Sequence, residues 1–228
     1  MYKQMGEHLK SADADTSVRV VILRGTDGLF TSGNDIKDFQ EQAAGGGDPN
    51  SISVFFEGVL GLRKPLIAAV QGYAIGIGTT MLLHCDMVYA GKSAVFRLPF
   101  VNLGLCPEFG SSYVLPLLAG YQRASELLML GDKFTPEKAC EAGIVNQVLD
   151  DDILMEEVMK IARALARKSP AALMATKKLI KDHWLDIIHK AVETDGRVFA
   201  ELLGGPEAQE AFKAFEEKRE PDFSKFQK

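Results

Sequence analysis

Residues 64–78, KPLIAAVQGYAIGIG, carry the strongest structural pattern in the chain. Residues 64–72 are apolar at almost every position and end at turn-forming residues, which predicts a strand buried on both faces. Glycines at positions 72, 76 and 78 permit positive φ and a close approach of the backbone to a ligand. Small and apolar residues then continue to His84 and predict a helix. A strand, a glycine-marked turn and a helix in this order are typical of α/β architecture.

A second junction of the same kind lies upstream. Residues 18–25 (VRVVILRG) predict another buried strand, and residues 36–42 predict a helix. The loop between them ends in Ser32-Gly33-Asn34-Asp35, which is typical of a helix entry with exposed N–H groups. A plain strand-to-helix turn explains the same residues, so this loop alone does not establish a binding site.

A third junction, residues 103–113 (LGLCPEFGSSY), places the carboxylate of Glu108 among apolar and small residues. Pro107 is typical of a first helical position, so we expect Glu108 in the first turn of a helix that continues to about residue 118. Apolar neighbours would raise the pKa of Glu108, whereas the helix N-terminus would stabilise its anion. Such a balance suits a general base. The alternative is an ordinary acidic residue that complements a helix dipole.

The rest of the chain changes character near its middle. Two further strands are predicted at residues 86–90 and 94–98, and Asp86 is expected to make structural hydrogen bonds. Beyond residue 123 the pattern is helical, apart from one strand-like piece at residues 144–149. The predicted helices span residues 123–130, 136–142, 152–168, 170–184, 186–203 and 206–218.

Composition argues against several classes of function. The 228 residues carry a net charge of −5, which argues against a nucleic-acid-binding surface. No apolar run approaches the roughly 20 residues of a membrane span, so no membrane partner is expected. Three cysteines without CxxC spacing and four histidines without ligand spacing predict neither a disulfide framework nor a metal site. We expect a cytoplasmic protein, with a peroxisome or mitochondrion left open.

The three junctions together suggest a chemistry. In parallel α/β folds such junctions converge at the carboxyl edge of the sheet. Two of them supply main-chain N–H donors and the third supplies a carboxylate, which is what removal of a proton next to a carbonyl requires. The pattern does not choose between enolate chemistry and acyl transfer, although no Gly-x-Ser-x-Gly elbow is present for the latter.

At these residues the sequence resembles the crotonase, or enoyl-CoA hydratase/isomerase, superfamily. The resemblance implies an α/β fold with a crotonase-like ββα spiral core at residues 1–142. It also implies a mainly helical C-terminal trimerisation region at residues 143–228, assembly as a homotrimer or hexamer, and acyl-CoA thioester substrates without a separate cofactor. The matching segments are residues 20–25 (VVILRG), 30–36 (FTSGNDI), 64–78, 85–90 (CDMVYA), 139–145 (ACEAGIV) and 212–223 (FKAFEEKREPDF).

The resemblance also assigns roles to residues. It implies an oxyanion hole made by the backbone N–H groups of Asn34 and Ile77, with Glu108 as the catalytic base. The two catalytic glutamates of the hydratases correspond here to Thr80 and Phe100, neither of which is a base. Residues 99–113 are instead similar to the peroxisomal-type Δ3,Δ2-enoyl-CoA isomerases of fatty acid β-oxidation. The implied substrate- and CoA-binding residues are Ser32, Gly33, Asp35, Ile36, Gly76 and Phe100.

Two alternatives to an isomerase are kept. One is a hydratase or another crotonase reaction, and the other is a crotonase-like domain that binds acyl-CoA or a protein without turnover. Members of this family begin with a β-hairpin and an Asn-Ala-Leu segment. The printed sequence begins at Met1, inside the helix that follows them, so the hairpin is expected to be missing from it.

Overall fold

A four-stranded parallel sheet forms the centre of the protein. The computed structural model describes residues 1–26, 28–43, 45–46 and 50–226. The strands are β1 (Val21–Arg24), β2 (Leu66–Val70), β4 (Met87–Gly91) and β7 (Gln147–Leu149), in the order β1-β2-β4-β7. Every residue of β2 is buried, as the unbroken apolar run predicts. The fold class expected from the sequence, mixed α/β with a parallel sheet, is confirmed.

The structure also contains a second, smaller sheet of three strands. It contains β3 (Tyr73–Ile75), β5 (Val95–Arg97) and β6 (Lys133–Phe134), with β3 and β5 parallel and β6 antiparallel to β5. The chain passes from β2 into β3 through Gln71 and Gly72 only. The residues of β3 were expected to form a turn, and β6 was not predicted, because strands of three and two residues are too short to show a period-two pattern.

Helices cover the sheets and form most of the second half of the chain. The first, α1, packs against α3, and short 3₁₀ segments occur at Met81–His84, Val101–Leu103 and Ser224–Phe226. No helix in the described part of the chain is long and apolar enough to cross a membrane. The α-helices are α1 (Tyr2–Ala14), α2 (Ile36–Ala43), α3 (Asn50–Leu60), α4 (Ile77–Thr80), α5 (Ser111–Ala119), α6 (Tyr121–Leu130), α7 (Pro136–Glu141), α8 (Leu154–Ala166), α9 (Pro170–Leu203) and α10 (Pro206–Glu216).

Helix α9 is a single helix of 34 residues, where the sequence analysis expected two. It starts at a favourable boundary, since Pro170 occupies the first turn and the Ser169 hydroxyl accepts a hydrogen bond from the amide of Ala172 at 3.4 Å. The predicted break at residue 185 is wrong. Neither glycine nor proline occurs there, so nothing in the local chemistry ends the helix.

The central strand β2 separates two apolar cores. Leu66, Ala68 and Val70 belong to the main core, which extends to Phe212 of α10. Ile67 points to the opposite face of the sheet and packs against α8. The alternation follows from the period of two along a strand. Full burial of a large apolar side chain contributes roughly 1.5–3 kcal/mol, so both faces of β2 stabilise the fold. The proposed division between residues 142 and 143 stays a prediction.

Asp86 connects the sheet to α9. Its Oδ2 accepts hydrogen bonds from the amide of Leu66 at 2.7 Å and from Nζ of Lys177 at 2.6 Å. Lys177 is buried on α9 and also donates to the carbonyl of Lys64 at 2.7 Å. The structural role expected for Asp86 is confirmed by these contacts.

Candidate active site

The first two junctions lie side by side. A parallel bridge joins Thr31 to Ala74, with the Thr31 amide donating to the carbonyl of Tyr73 at 2.8 Å and the Ile75 amide donating to Thr31 at 3.2 Å. This bridge holds residues 32–34 next to residues 75–77. The expectation that the two strand-to-helix junctions meet at one edge is therefore confirmed in the geometry.

Two glycines allow the backbone to turn at this edge. Gly33 has φ +87°, and a Cβ placed on it would lie 2.8 Å from the carbonyl oxygen of Ile75. Gly76 has φ +57°, and its carbonyl accepts hydrogen bonds from the amides of Thr79 and Thr80 at 2.8 and 3.0 Å. Both positions favour glycine because L side chains rarely adopt such φ values.

The two turns leave main-chain donors available. Ile77 is the first residue of α4, so its N–H has no acceptor within that helix. The N–H of Asn34 makes no hydrogen bond with the described residues. Both residues line the cavity described below. The arrangement can bind an oxyanion with main-chain groups alone.

Glu108 lies in the loop before α5, not in its first turn as the sequence analysis expected. The helix begins at Ser111, and the two residues between, Phe109 and Gly110, have φ +57° and +70°. The chain folds back tightly here, because the Glu108 carbonyl accepts hydrogen bonds from the amide of Ser111 at 3.1 Å and from its hydroxyl at 2.6 Å. The placement deduced from Pro107 is thus wrong.

Tertiary contacts hold Phe109 in this left-handed conformation, which costs roughly 1–2 kcal/mol for a residue with a Cβ. Its ring stacks on Phe56 with centroids 3.8 Å apart and planes 8° apart. Its carbonyl accepts a hydrogen bond from Nε2 of buried His84 at 2.7 Å. Burial lowers the pKa of His84 to about 4, so the imidazole is neutral and carries its proton on Nε2.

Burial and two neighbouring side chains set the pKa of Glu108. Withdrawal from water raises its pKa to about 7, and the negative charge of Asp195 acts in the same direction. The Thr80 hydroxyl donates a hydrogen bond to Oε1 of Glu108 and opposes the shift, because it stabilises the charged form. A carboxyl group with a pKa near neutrality can both accept and return a proton.

Two cavities meet at Glu108. The first has a volume of about 450 Å³, and every residue assigned to the site from the sequence lines it. The second is about 700 Å³ and extends between α2, α3 and α9. Residues shared by both walls are Asn34, Phe39, Glu108 and Phe199. The assigned residues on the first wall are Ser32, Gly33, Asn34, Asp35, Ile36, Gly76, Ile77, Phe100 and Glu108.

Sequence reasoning missed the side chains that α9 contributes. Phe199 lines both cavities and Asp195 acts on Glu108, yet each is more than 80 residues from the loop it approaches. No local motif marks them, because a long amphipathic helix presents many residues of these types. Within the described residues no group of three or more His, Cys, Asp or Glu side chains could hold a metal ion.

Comparisons with known proteins agree with this geometry. A family model described as enoyl-CoA hydratase/isomerase matches residues 1–227. The 2,3-dehydroadipyl-CoA hydratase of Escherichia coli K12 is 32% identical over 96% of this chain and 86% of its own length. Human enoyl-CoA delta isomerase 2 is 34% identical over 83% of this chain and 49% of its own length. The crystal structure of an enoyl-CoA hydratase/isomerase from Pseudoalteromonas atlantica T6c matches with a TM-score of 0.91 and 39% identity, covering 97% of this chain and 88% of that one.

Proposed function

The chain belongs to the enoyl-CoA hydratase/isomerase family, and on that premise we propose that it converts 3-enoyl-CoA thioesters to 2-enoyl-CoA thioesters. One observation supports this choice over hydration. Glu108 is the carboxylate that the walls of the two cavities share, while the family resemblance implies that Thr80 and Phe100 correspond to the two hydratase glutamates. A single carboxylate is sufficient for moving a proton along an allylic system, whereas activation of water in this family uses two.

The proposed reaction begins at the thioester. Its carbonyl oxygen accepts hydrogen bonds from the N–H groups of Asn34 and Ile77, which stabilise negative charge as it develops. Glu108 removes a proton from C2, and the C–H electrons form a dienolate whose charge rests on the thioester oxygen. Protonated Glu108 then returns the proton at C4, and the double bond is left between C2 and C3. Loss of one oxyanion donor would slow such a reaction by about 10²–10³.

The two cavities suggest how the substrate lies. The smaller one contains the two amides and would hold the thioester and the adjoining part of CoA. The larger one, on the other side of Glu108, has an apolar wall that would hold the acyl chain. C2 and C4 would then both lie next to the carboxylate. The apolar residues of the larger wall include Phe39, Ile52, Phe56, Val192, Phe199 and Leu203.

Hydration is the second candidate, because the Escherichia coli relative is named as a hydratase. It requires a water molecule held next to C3. Glu108 could activate that water, but Thr80 and Phe100 offer no second carboxylate. The two reactions have different products, so one assay separates them.

The decisive experiment incubates the protein with 3-hexenoyl-CoA and follows the conjugated 2-enoyl thioester by its ultraviolet absorbance. We expect turnover by the wild type and a loss of about 10²–10⁴ in kcat for Glu108→Gln, the range that general acid–base catalysis contributes. Glu193→Gln is the matched control, since Glu193 is exposed on α9. Equal rates for wild type and Glu108→Gln would refute the proposal. Release of 3-hydroxyacyl-CoA from a 2-enoyl-CoA would favour hydration.

We further propose that copies of the chain assemble through α9, as a trimer or a pair of trimers. Four large apolar side chains on this helix are well exposed: Leu179, Ile180, Trp184 and Ile187. Ile180, Trp184 and Ile187 recur at helical spacing and form one stripe. Light scattering after size exclusion should give three or six times the mass of the chain, and Trp184→Glu should lower it. A monomeric wild type would refute this assembly.

A further inference from the structure

Asp195 is a buried carboxylate that the proposed reaction does not use. It lies on α9 with only 6% of its surface exposed, and its Oδ1 accepts a hydrogen bond from the Ser112 hydroxyl at 2.5 Å. The backbone N–H groups of Gly110 and Ser112 also face this carboxylate. Asp195 is therefore bonded to the turn that connects Glu108 to α5.

Neighbouring residues of α9 pack against the same turn. A Cβ added to Gly110 would meet Cγ2 of Val192 at 3.2 Å and the carbonyl of Ile188 at 3.5 Å. The thiol of Cys106 approaches the Asp195 carbonyl at 3.8 Å from the other side of the loop. The loop that carries Glu108 is thus in contact with α9 both before and after the carboxylate.

The second carboxylate oxygen is unusual. Oδ2 of Asp195 is buried and has no hydrogen-bond partner among the described residues. An unsatisfied buried oxygen is unfavourable, and native structures contain few of them. A structural cap alone would be served by asparagine, whose amide is neutral and less costly to bury. The negative charge calls for another explanation, and Glu108 is one of the groups on which it acts.

We propose that Asp195 is a positioning residue for Glu108: it fastens the turn at residues 109–112 to α9 and places a negative charge beside the catalytic carboxylate. The fastening fixes the direction in which Glu108 leaves the loop. The charge makes Glu108 a stronger base, because a nearby anion disfavours ionisation. This inference rests on the proposed function and names a further residue that the reaction depends on.

The other ionisable groups near Glu108 do not change their charge near neutral pH. Burial raises the pKa of Tyr2 on α1 and raises that of Cys106 to about 11, so both are neutral. His84 is neutral because its pKa is about 4. Arg97 lines the smaller cavity, and its Nε donates a hydrogen bond to the Gly131 carbonyl at 2.7 Å. On α2, Asp38 acts on Tyr2. Removing the Asp195 charge should therefore move the pKa of Glu108 downward.

The test compares Asp195→Asn and Asp195→Ala with Asp186→Asn, the same change at an exposed site on α9. Asp195→Asn retains an acceptor for Ser112 and removes the charge, so the acid limb of the kcat profile with 3-hexenoyl-CoA should move to lower pH. Asp195→Ala removes both the acceptor for Ser112 and the negative charge, and kcat should fall about 10- to 100-fold with KM little changed. Ser112→Ala should reproduce the loss of fastening without the pH shift.

A second readout needs no turnover. The carboxyl band of protonated Glu108, identified by its absence in Glu108→Gln, can be titrated by infrared difference spectroscopy. A lower pKa in Asp195→Asn than in Asp186→Asn supports the inference, and an unchanged pKa in a folded Asp195→Asn overturns it. Equal kcat for Asp195→Ala and the control also overturns it. A shifted band in a protein without isomerase turnover contradicts the proposed function but supports the role of Asp195.

Discussion

The hydroxyl of Thr80, the residue that the family resemblance matches to a hydratase glutamate, donates a hydrogen bond to the carboxylate of Glu108. The contact joins the buried end of α4 to the loop before α5. It has a chemical effect as well as a structural one, because the bond favours the ionised form of Glu108.

We predict that Thr80→Val raises the pKa of Glu108 above its value of about 7. The isosteric change removes the donor and keeps the volume, so the carboxylate loses stabilisation. The acid limb of the isomerase pH profile should move to higher pH, and kcat at pH 7 should fall. Thr80→Ser retains the hydroxyl and serves as the control. An unshifted profile for Thr80→Val would show that the bond has no role in tuning the base.

Gly33→Ala should impair the reaction more than it impairs folding. The new methyl group would lie 2.8 Å from the carbonyl of Ile75 and would displace the adjoining Asn34 amide. We expect a loss of kcat of about 10²-fold, comparable to removal of one oxyanion donor. Gly28→Ala is the matched control, since φ there is also positive, at +71°, but no atom lies within 4 Å. Similar activities in the two variants would argue against a close approach at Gly33.

Stability should fall as the solution is acidified below pH 6.5, because of His84. Its pKa in the folded protein is about 4, against 6.5 when exposed, so the unfolded chain binds the proton more readily. The neutral imidazole thus contributes stability that is complete above pH 6.5 and decreases towards pH 4, by roughly 3 kcal/mol at most. Urea unfolding at pH 7.5 and 5.0 measures this loss. The His84→Gln variant should show a smaller loss over the same interval; an identical loss would assign the effect to other groups.

Lys177→Met should destabilise the fold by about 3–5 kcal/mol, since it leaves the Asp86 carboxylate without its buried cation. The adjacent Lys178→Met is the control, because Lys178 pairs with Asp182 at the surface and such pairs contribute about 0–1 kcal/mol. The free energy of unfolding in urea gives both values. Equal effects for the two variants would mean that burial of the Lys177 pair has no consequence for stability.

Much of the architecture follows from local pattern. The buried strand β2, the glycine-marked turns and the helical second half are all visible in the sequence, because each depends on neighbouring residues. The family resemblance is likewise confirmed. The assigned site residues converge on one cavity wall, although their roles in the reaction stay a prediction.

What the sequence did not predict depends on contacts between distant segments. Contacts with His84 and Phe56 hold Phe109 in a left-handed conformation, and the helix start predicted from Pro107 is therefore wrong. Asp195 reaches the same loop from α9. Propensity and spacing carry no information about such pairings.

The two cavity amides of Asn34 and Ile77 belong to the main chain, which has a consequence for how this protein can change over generations. A substitution at either position by any residue except proline alters a side chain and leaves the N–H group in place. In the proposed reaction, the oxyanion-binding half of the site is therefore insulated from most point mutations. The proposed acid–base half depends on the Glu108 side chain, so a single substitution can delete its carboxylate. Such a division lets a lineage acquire new reactions on activated thioesters without rebuilding the part that activates them.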